Sequence, residues 1–398
     1  MIDKPLTLPC GAVLKNRLIK SAMSEALGDK HNNPRGALTK LFSHWGGGGA
    51  ALLITGNTPV DRNHLEHAAN VVLDGQTDLA KMKKLAAAAK KGGAKILVQL
   101  AHAGRQTPLA VNPRPLSVSA LPLALAGYGK PRAASDKQLR DIINRFARAA
   151  MLAMDAGFDG VEVHAAHGYL LSSSLSPKIN TRTDGWGGTT KKRARLACEV
   201  VRAVRAQTGA GFIVAVKLNA SDFQKGGLDG RESAAAAAML QDAGADFLEV
   251  SGGNFEAPVS YRHDKQKAGR EAYFLASARD IKAAVDIPVM VTGGFRTAKA
   301  MGDALKSNKA DLIGMGRPFI IDPAFAAKLL GGAIASAPAP ENTFAPAASM
   351  PRGAVLNWFC YQLTLAAKNG AADLALPVIS GHRRYLATMR RAENRRQT

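Results

Sequence analysis

The sequence predicts an α/β fold: a (β/α)8 TIM barrel with a C-terminal extension. Three observations predict it. Eight short apolar, β-branched runs recur between Leu18 and Met315. Most are continuous rather than alternating, as expected of strands covered on both faces. Helical patterns separate them, and eight strands with helical crossovers is the number that closes a parallel barrel. An open doubly wound sheet is the alternative. It would place a glycine fingerprint after its first strand, where Ser21-Ala22-Met23-Ser24 stands instead.

The eight runs are Leu18–Ser21, Leu52–Thr55, Ile96–Leu100, Gly160–His164, Ile213–Leu218, Phe247–Ser251, Val289–Thr292 and Leu312–Met315. Among the helices between them, the clearest follows Ser135-Asp136-Lys137-Gln138, a capping box. Its apolar positions Leu139, Ile142, Ile143, Phe146 and Ala150 share one face, and Gly157 stops it. A second covers Lys191–Gln207 with Gly209 as its stop, and a third runs from Ser233 to Ala243 before Gly244. Residues 1–330 form the barrel and 331–398 the extension. The extension opens with an Ala/Pro/Gly-rich linker, Gly331–Gly353. A helix over Val355–Ala367 follows, carrying Trp358, Phe359 and Tyr361, and then an arginine-rich end from Gly381. Trp358 and Tyr361 are expected to pack on the barrel or to reach a partner subunit.

Composition narrows the class. A chain of 398 residues with 46% hydrophobic content buries a large core and is not disordered throughout. Three scattered cysteines, Cys10, Cys198 and Cys360, suit a reducing compartment and form no zinc spacing. The start has no secretory pattern, and no uncharged run reaches the ~18 residues of a membrane span. A cytoplasmic protein with no membrane partner is expected. The net charge of +22 raises the question of nucleic acid. Part of it lies in the arginine-rich end and part in Lys81, Lys83, Lys84, Lys90 and Lys91, and most reads as solvated helix surface.

Active sites of such barrels sit at the C-terminal strand ends. Strand four ends in His164-Ala165-Ala166-His167-Gly168-Tyr169. Two histidines at this spacing can hold a metal, or can donate two N–H bonds to one oxygen. Glu162 is read as facing away from them, and no Asp or Glu at the tips of strands five and six completes a metal set, although Asp222 follows shortly. Lys217, ending strand five, offers a fixed cation or a Schiff-base amine. Gln99, ending strand three, offers both a donor and an acceptor to an amide- or imide-bearing ligand. Gly293-Gly294 after strand seven and Gly316-Arg317 after strand eight stand where barrels commonly bind phosphate. The same glycines also serve ordinary tight turns.

These residues resemble the Old Yellow Enzymes, FMN-dependent ene-reductases of the NADH:flavin oxidoreductase superfamily. The resemblance runs from about Leu6 to Leu330. Its most specific stretch is Gly157-Phe158-Asp159-Gly160-Val161-Glu162-Val163-His164-Ala165-Ala166-His167-Gly168-Tyr169-Leu170, followed by Ser176-Pro177, Asn180, Arg182-Thr183-Asp184 and Gly187-Gly188. Asn16-Arg17, Gln99-Leu100-Ala101-His102-Ala103-Gly104-Arg105 and Gly314-Met315-Gly316-Arg317-Pro318 support it.

The resemblance implies FMN held without a covalent bond, NADPH or NADH as hydride donor, and an alkene activated by a carbonyl or nitro group as substrate. It implies that His164 and His167 bind the activating oxygen and that Tyr169 supplies a proton. It implies flavin contacts from Gln99, Lys217, Met23, Ser24 and Gly56, and phosphate contacts from Gly293, Gly294, Gly316 and Arg317. No resident metal is implied. Lys217 stands where the family usually has arginine, Ala22 replaces a common proline, Ala26 an aromatic residue of one subgroup, and Trp186 a common tyrosine. The alternatives are an FMN barrel acting on another substrate, such as a nucleic-acid base, and a metal-dependent hydrolase using His164 and His167. Enzymes of the first kind resemble one another around a strand-end cysteine, and none occurs here. Iron–sulfur relatives need clustered cysteines. Oligomeric state is left open.

Overall fold

The computed structural model describes residues 1–258, 271–346 and 349–397. Eight strands form the barrel: β1 (Leu18–Lys20), β2 (Leu52–Ile54), β3 (Lys95–Ala101), β4 (Gly160–Ala165), β5 (Ile213–Asn219), β6 (Phe247–Ser251), β7 (Val289–Thr292) and β8 (Leu312–Met315). Each pairs in parallel with the next, and β8 pairs with β1, so the sheet closes on itself. This is the (β/α)8 barrel expected from the eight apolar runs.

Between the strands run α1 (Gly36–Gly46), α2 (Leu79–Ala89), α3 (Asp136–Asp155), α4 (Thr190–Thr208), α5 (Gly230–Asp242), α6 (Arg279–Ala284) and α7 (Ala298–Lys306). The capping box at the start of α3 is made in full: Ser135 accepts from the Gln138 N–H, and the Gln138 side chain accepts from the Ser135 N–H. Ser135→Ala removes the first of these bonds and is expected to cost about 1 kcal/mol, measured by urea unfolding. Gly157, Gly209 and Gly244 take positive φ where those helical patterns stop, a conformation that penalises a β-carbon.

Strand alternation sorts the core into two parts. Ile19, Leu52, Ile54, Leu97, Ile213, Ala215, Phe247, Met290 and Leu312 fill the lower barrel, closed from beneath by Leu8 and Leu14 of an N-terminal hairpin. Their outward neighbours pack against the helices in a larger cluster that includes Phe42, Trp45 and Phe146. Lys20 is fully buried in that outer layer. Its Nζ donates to the Ile54 carbonyl at 2.7 Å and lies 4.3 Å from the Trp45 ring centroid.

After the barrel, α8 (Ala354–Asn369) and α9 (Val378–Gln397) pack on each other, the start of α9 beside the first half of α8, and α8 packs on α1. Trp358 is fully buried in this chain, with its indole N–H on the Leu376 carbonyl at 2.8 Å. Its neighbour Gly381 leaves no room for a β-carbon, which would meet the indole at 2.6 Å. Tyr361 is half-buried against the same core. Of the two expected placements, both aromatics show packing within the chain.

Candidate active site

The upper halves of β3 to β6 turn polar side chains inward. Register pairs Gln99 with Glu162, His164 with Lys217, and Lys217 with Glu249 across neighbouring strands. Residues two apart share a face of a strand, so Glu162 lies on the inner face with His164. This corrects the expectation that Glu162 faces away. Gln99 Nε2 donates to Glu162 Oε2 at 2.6 Å, and Lys217 Nζ donates to Glu249 Oε1 at 2.7 Å. Both carboxyl groups are fully buried.

Burial drives the Glu162 carboxyl well above the usual range, and the neighbouring Glu249 charge adds to this. Its Oε1 and the Oε2 of Glu249 are both buried with no hydrogen-bond partner among the described residues. Burial opposes the Glu249 charge, but Lys217 outweighs it and holds Glu249 below its usual range. Burial likewise opposes the Lys217 charge, but Glu249 and Glu162 outweigh it and hold the ammonium above the ordinary lysine value. The floor of the site therefore carries an ordered set: the Gln99 amide, the Glu162 carboxyl with its raised proton affinity, the Glu249 carboxyl and the Lys217 amine.

Above this floor opens a cleft of about 250 Å³, lined by Ala22, Met23, Ser24, Gln99, His164, His167, Tyr169, Lys217, Gly316 and Arg317 among others. The structure thus brings together most of the residues expected from the strand ends. His164 Nδ1 accepts from the Ala166 N–H at 3.3 Å. In a neutral ring that leaves the proton on Nε2, and the residue lines the cleft. Burial, then His167 and Lys217, keep His164 well below the ordinary histidine value. Burial, then Lys217, push His167 down to about 3. Both rings are neutral at pH 7. They meet edge to face with centroids 5.1 Å apart, and Tyr169 lies 4.9 Å from His164.

The two histidines differ in their partners. His167 adopts φ +62° and places Nε2 2.9 Å from the Ser251 hydroxyl at the tip of β6. Its backbone is pinned by Asn219 Oδ1, and Gln106 holds its carbonyl. Phe255 packs on Tyr169 with centroids 5.8 Å apart.

Three of the expected glycines stand outside the cleft lining. The Gly56 N–H is taken by both oxygens of Glu25 at 3.0 Å. A β-carbon on Gly293 would meet the Phe274 ring at 2.9 Å, and one on Gly294 would meet Tyr273 at 2.7 Å. Close ring packing therefore leaves no room for a side chain at either position. Asp222 binds Asn219 Nδ2 and the Leu228 N–H and does not approach the histidine pair.

Several lining residues escaped sequence reading. Glu66 holds Ser24 Oγ at 2.7 Å and Asn57 Nδ2 at 2.8 Å on one carboxylate oxygen. Val355, Leu356, Phe359, Cys360 and Leu363 of α8 and Tyr385 of α9 roof the cleft. Burial pushes the Cys360 thiol up to about 12, so it stays protonated. Glu162 and Glu249 were legible as lone acids inside apolar strands. The roof had no such signal.

One group of metal-ligand types occurs among the described residues, at Asp61, His64 and His102. His64 Nε2 accepts from the Leu116 N–H at 2.8 Å, and its Nδ1 faces Asp61 Oδ2 at 2.9 Å. The first bond puts the proton on Nδ1, so this ring has no lone pair to give a cation.

A family model described as NADH:flavin oxidoreductase / NADH oxidase matches residues 2–333. An NADH-dependent flavin oxidoreductase of Neonectria sp. is 36% identical over 350 residues, covering 80% of this chain and 46% of that protein. One from Aspergillus parasiticus is 36% identical over 372 residues, covering 88% and 80%. This chain thus spans less than half of the first relative and most of the second. Among solved structures, morphinone reductase in complex with tetrahydroNAD is similar with a TM-score of 0.71 and 26% identity, covering 85% of this chain and 93% of that one. An Old Yellow Enzyme homologue from Zymomonas mobilis shares the fold at a TM-score of 0.72 and 23% identity, covering 88% and 98%. With the barrel, the strand-end histidine pair and a family match over most of its length, this chain belongs to the NADH:flavin oxidoreductase / NADH oxidase family, the flavoenzymes that include the Old Yellow Enzymes.

Proposed function

We propose that the protein is an FMN-dependent NAD(P)H oxidoreductase that reduces the C=C bond of alkenes activated by a carbonyl or nitro group. The observation that carries this reading is one strand end and its loop placing two neutral imidazoles and a phenol at a single cleft, with the His164 proton assigned to Nε2 by the Ala166 N–H on Nδ1.

The donor set fits FMN. Gln99 and Lys217 present amide and cationic groups suited to the polar edge of a flavin ring. Arg317 lines the same cleft, with a guanidinium suited to a phosphate. Met23, Ser24 and Gly316 line the wall between these groups. Gly56, Gly293 and Gly294 would act only through backbone atoms. When bound, FMN accepts hydride from NAD(P)H and passes hydride on to the alkene.

The chain's own contribution is electrostatic and protic. The His164 Nε2–H, with His167 beside it, donates to the activating oxygen and stabilises the charge that develops there as the β carbon is reduced. Neutral rings suit this task, because an imidazolium would lose its proton to the developing enolate. Ser251 orients the His167 ring from behind. Tyr169 then delivers a proton to the α carbon as general acid. The roof from α8 limits water at the same point. Residues 1–330 act as the catalytic barrel and 331–398 as its cover.

Purified protein is expected to be yellow and to reduce a cyclic enone with NADH or NADPH under anaerobic, ping-pong kinetics. Colourless protein that stays colourless after FMN is added would refute the reading. The pH profile of the oxidative half-reaction should show no histidine ionisation between about pH 5 and 8, because both rings titrate below their ordinary value of ~6.5. The same shifts set a stability slope. As pH falls through ~6.5 the unfolded chain takes up protons that these two folded-state rings refuse, so stability declines toward acid.

A further inference from the structure

The segment after the barrel reaches Arg317 from two sides. Glu341, on the single turn Pro340–Thr343, is buried at 5% exposure. Its Oε1 accepts from Arg317 Nη1 at 3.1 Å and also from Arg296 Nη2, while its Oε2 is buried with no hydrogen-bond partner. Phe359 of α8 faces the same guanidinium, which lies 5.4 Å from its ring centroid.

The two arginines follow β7 and β8, so two cations from neighbouring strand ends converge on one acid supplied by the extension. Alone they would repel each other and sample many rotamers. A buried carboxylate between them offsets the repulsion and fixes the guanidinium plane that bidentate phosphate recognition requires. The Arg296 fork is also turned back onto its neighbour's carbonyl, with Nη1 on Phe295 O at 2.9 Å. Arg317 is accordingly the member of the pair that lines the cleft.

We infer that the post-barrel segment is a working part of the flavin phosphate pocket of its own chain, with Glu341 and Phe359 as positioning residues that hold Arg317 toward the phosphate. This rests on Arg317 being the phosphate ligand. Docking of the segment and binding of phosphate then share one side chain, so each favours the other by the same factor. A role as a mere staple predicts otherwise, since a staple affects every flavin alike.

The test uses full-length protein stripped of flavin and titrated with FMN and with riboflavin, which lacks the phosphate, following flavin fluorescence. Glu341→Gln and Phe359→Leu are each expected to weaken FMN about 5-fold or more, a typical coupling factor, with riboflavin little changed. Phe359→Tyr, which keeps the ring, should restore FMN affinity. FMN, and not riboflavin, should slow tryptic cleavage within Val378–Gln397. Arg317→Ala is the control and should abolish the preference for FMN. If it does not, the phosphate assignment fails and this proposal with it. If Arg317→Ala abolishes the preference while Glu341→Gln and Phe359→Leu preserve it, or weaken both flavins equally, the assignment stands and the proposal is overturned.

Discussion

Replacing His164 by alanine is expected to slow the oxidative half-reaction by about 10²–10³-fold, the usual effect of deleting one preorganised donor to a developing oxyanion. Flavin content and the rate of flavin reduction by NADH should stay near wild type, because His164 serves the activating oxygen. The geometry gives His164 the larger share. Its proton is held on Nε2 by the Ala166 N–H on the opposite ring nitrogen, and the residue lines the cleft. The Nε2 of His167 is engaged with Ser251. The alanine variant at 167 should therefore lose less, and Ser251→Ala should mimic part of that loss by freeing the ring. Stopped-flow oxidation of the reduced enzyme by cyclohexenone measures each rate. Unchanged enone turnover in His164→Ala would remove the assigned role. Tyr169→Phe should slow the same half-reaction by about 10²–10⁴-fold, the range for a lost general acid.

The second large effect is structural and electrostatic together. Lys217→Met should destabilise the fold by about 3–5 kcal/mol, because it leaves the Glu249 charge buried beside Glu162 with no cation. The paired change Lys217→Met with Glu249→Leu should recover most of that loss, since replacing a whole buried pair by apolar residues is often neutral. Urea unfolding at pH 7 reads both. The sign with pH follows from the shifts. Glu249 is depressed when folded, so its stabilising pair is present above the ordinary carboxyl value and is lost as pH falls through its lowered one. Glu162 is raised, so its contribution is full below the ordinary carboxyl value and is lost as pH rises toward its folded one. Glu162→Gln, which keeps a neutral donor and acceptor, should flatten that second slope and raise stability at pH 7.

The same network bears on the flavin. Lys217 on its own would place a full positive charge at the cleft floor. Paired with Glu249 at 2.7 Å, it presents a much weaker field. Glu249→Gln should therefore shift the midpoint potential of the bound flavin upward, measured by dye-equilibrated photoreduction. No shift would mean that Lys217 does not stand near the flavin ring.

The barrel was legible because its physics is local. Continuous apolar runs, a capping box at Ser135 and stops at Gly157, Gly209 and Gly244 are short-range signals, and each element formed where they stand. The histidine loop was legible because strand ends of a closed barrel converge whatever the loops do. Glu162 shows where a local rule was misapplied: strand alternation places it with His164, on the inner face. Gly56, Gly293 and Gly294 show a different limit. Sequence alone does not show that the Gly56 N–H is taken by Glu25 or that Gly293 and Gly294 lie against the rings of Phe274 and Tyr273.

The sequence by itself determined the family, the barrel and the residues at its mouth, since these follow from periodicity and from motifs within one strand and its loop. The tertiary structure alone decided how those residues are wired. Glu249 meets Lys217, Ser251 meets His167 and Glu341 meets Arg317 across separations of 32, 84 and 24 positions. Such contacts depend on which strands lie side by side and on where a 68-residue extension, 331–398, folds back. No local propensity encodes them, because partners this far apart in sequence meet only once the strands and the extension have packed.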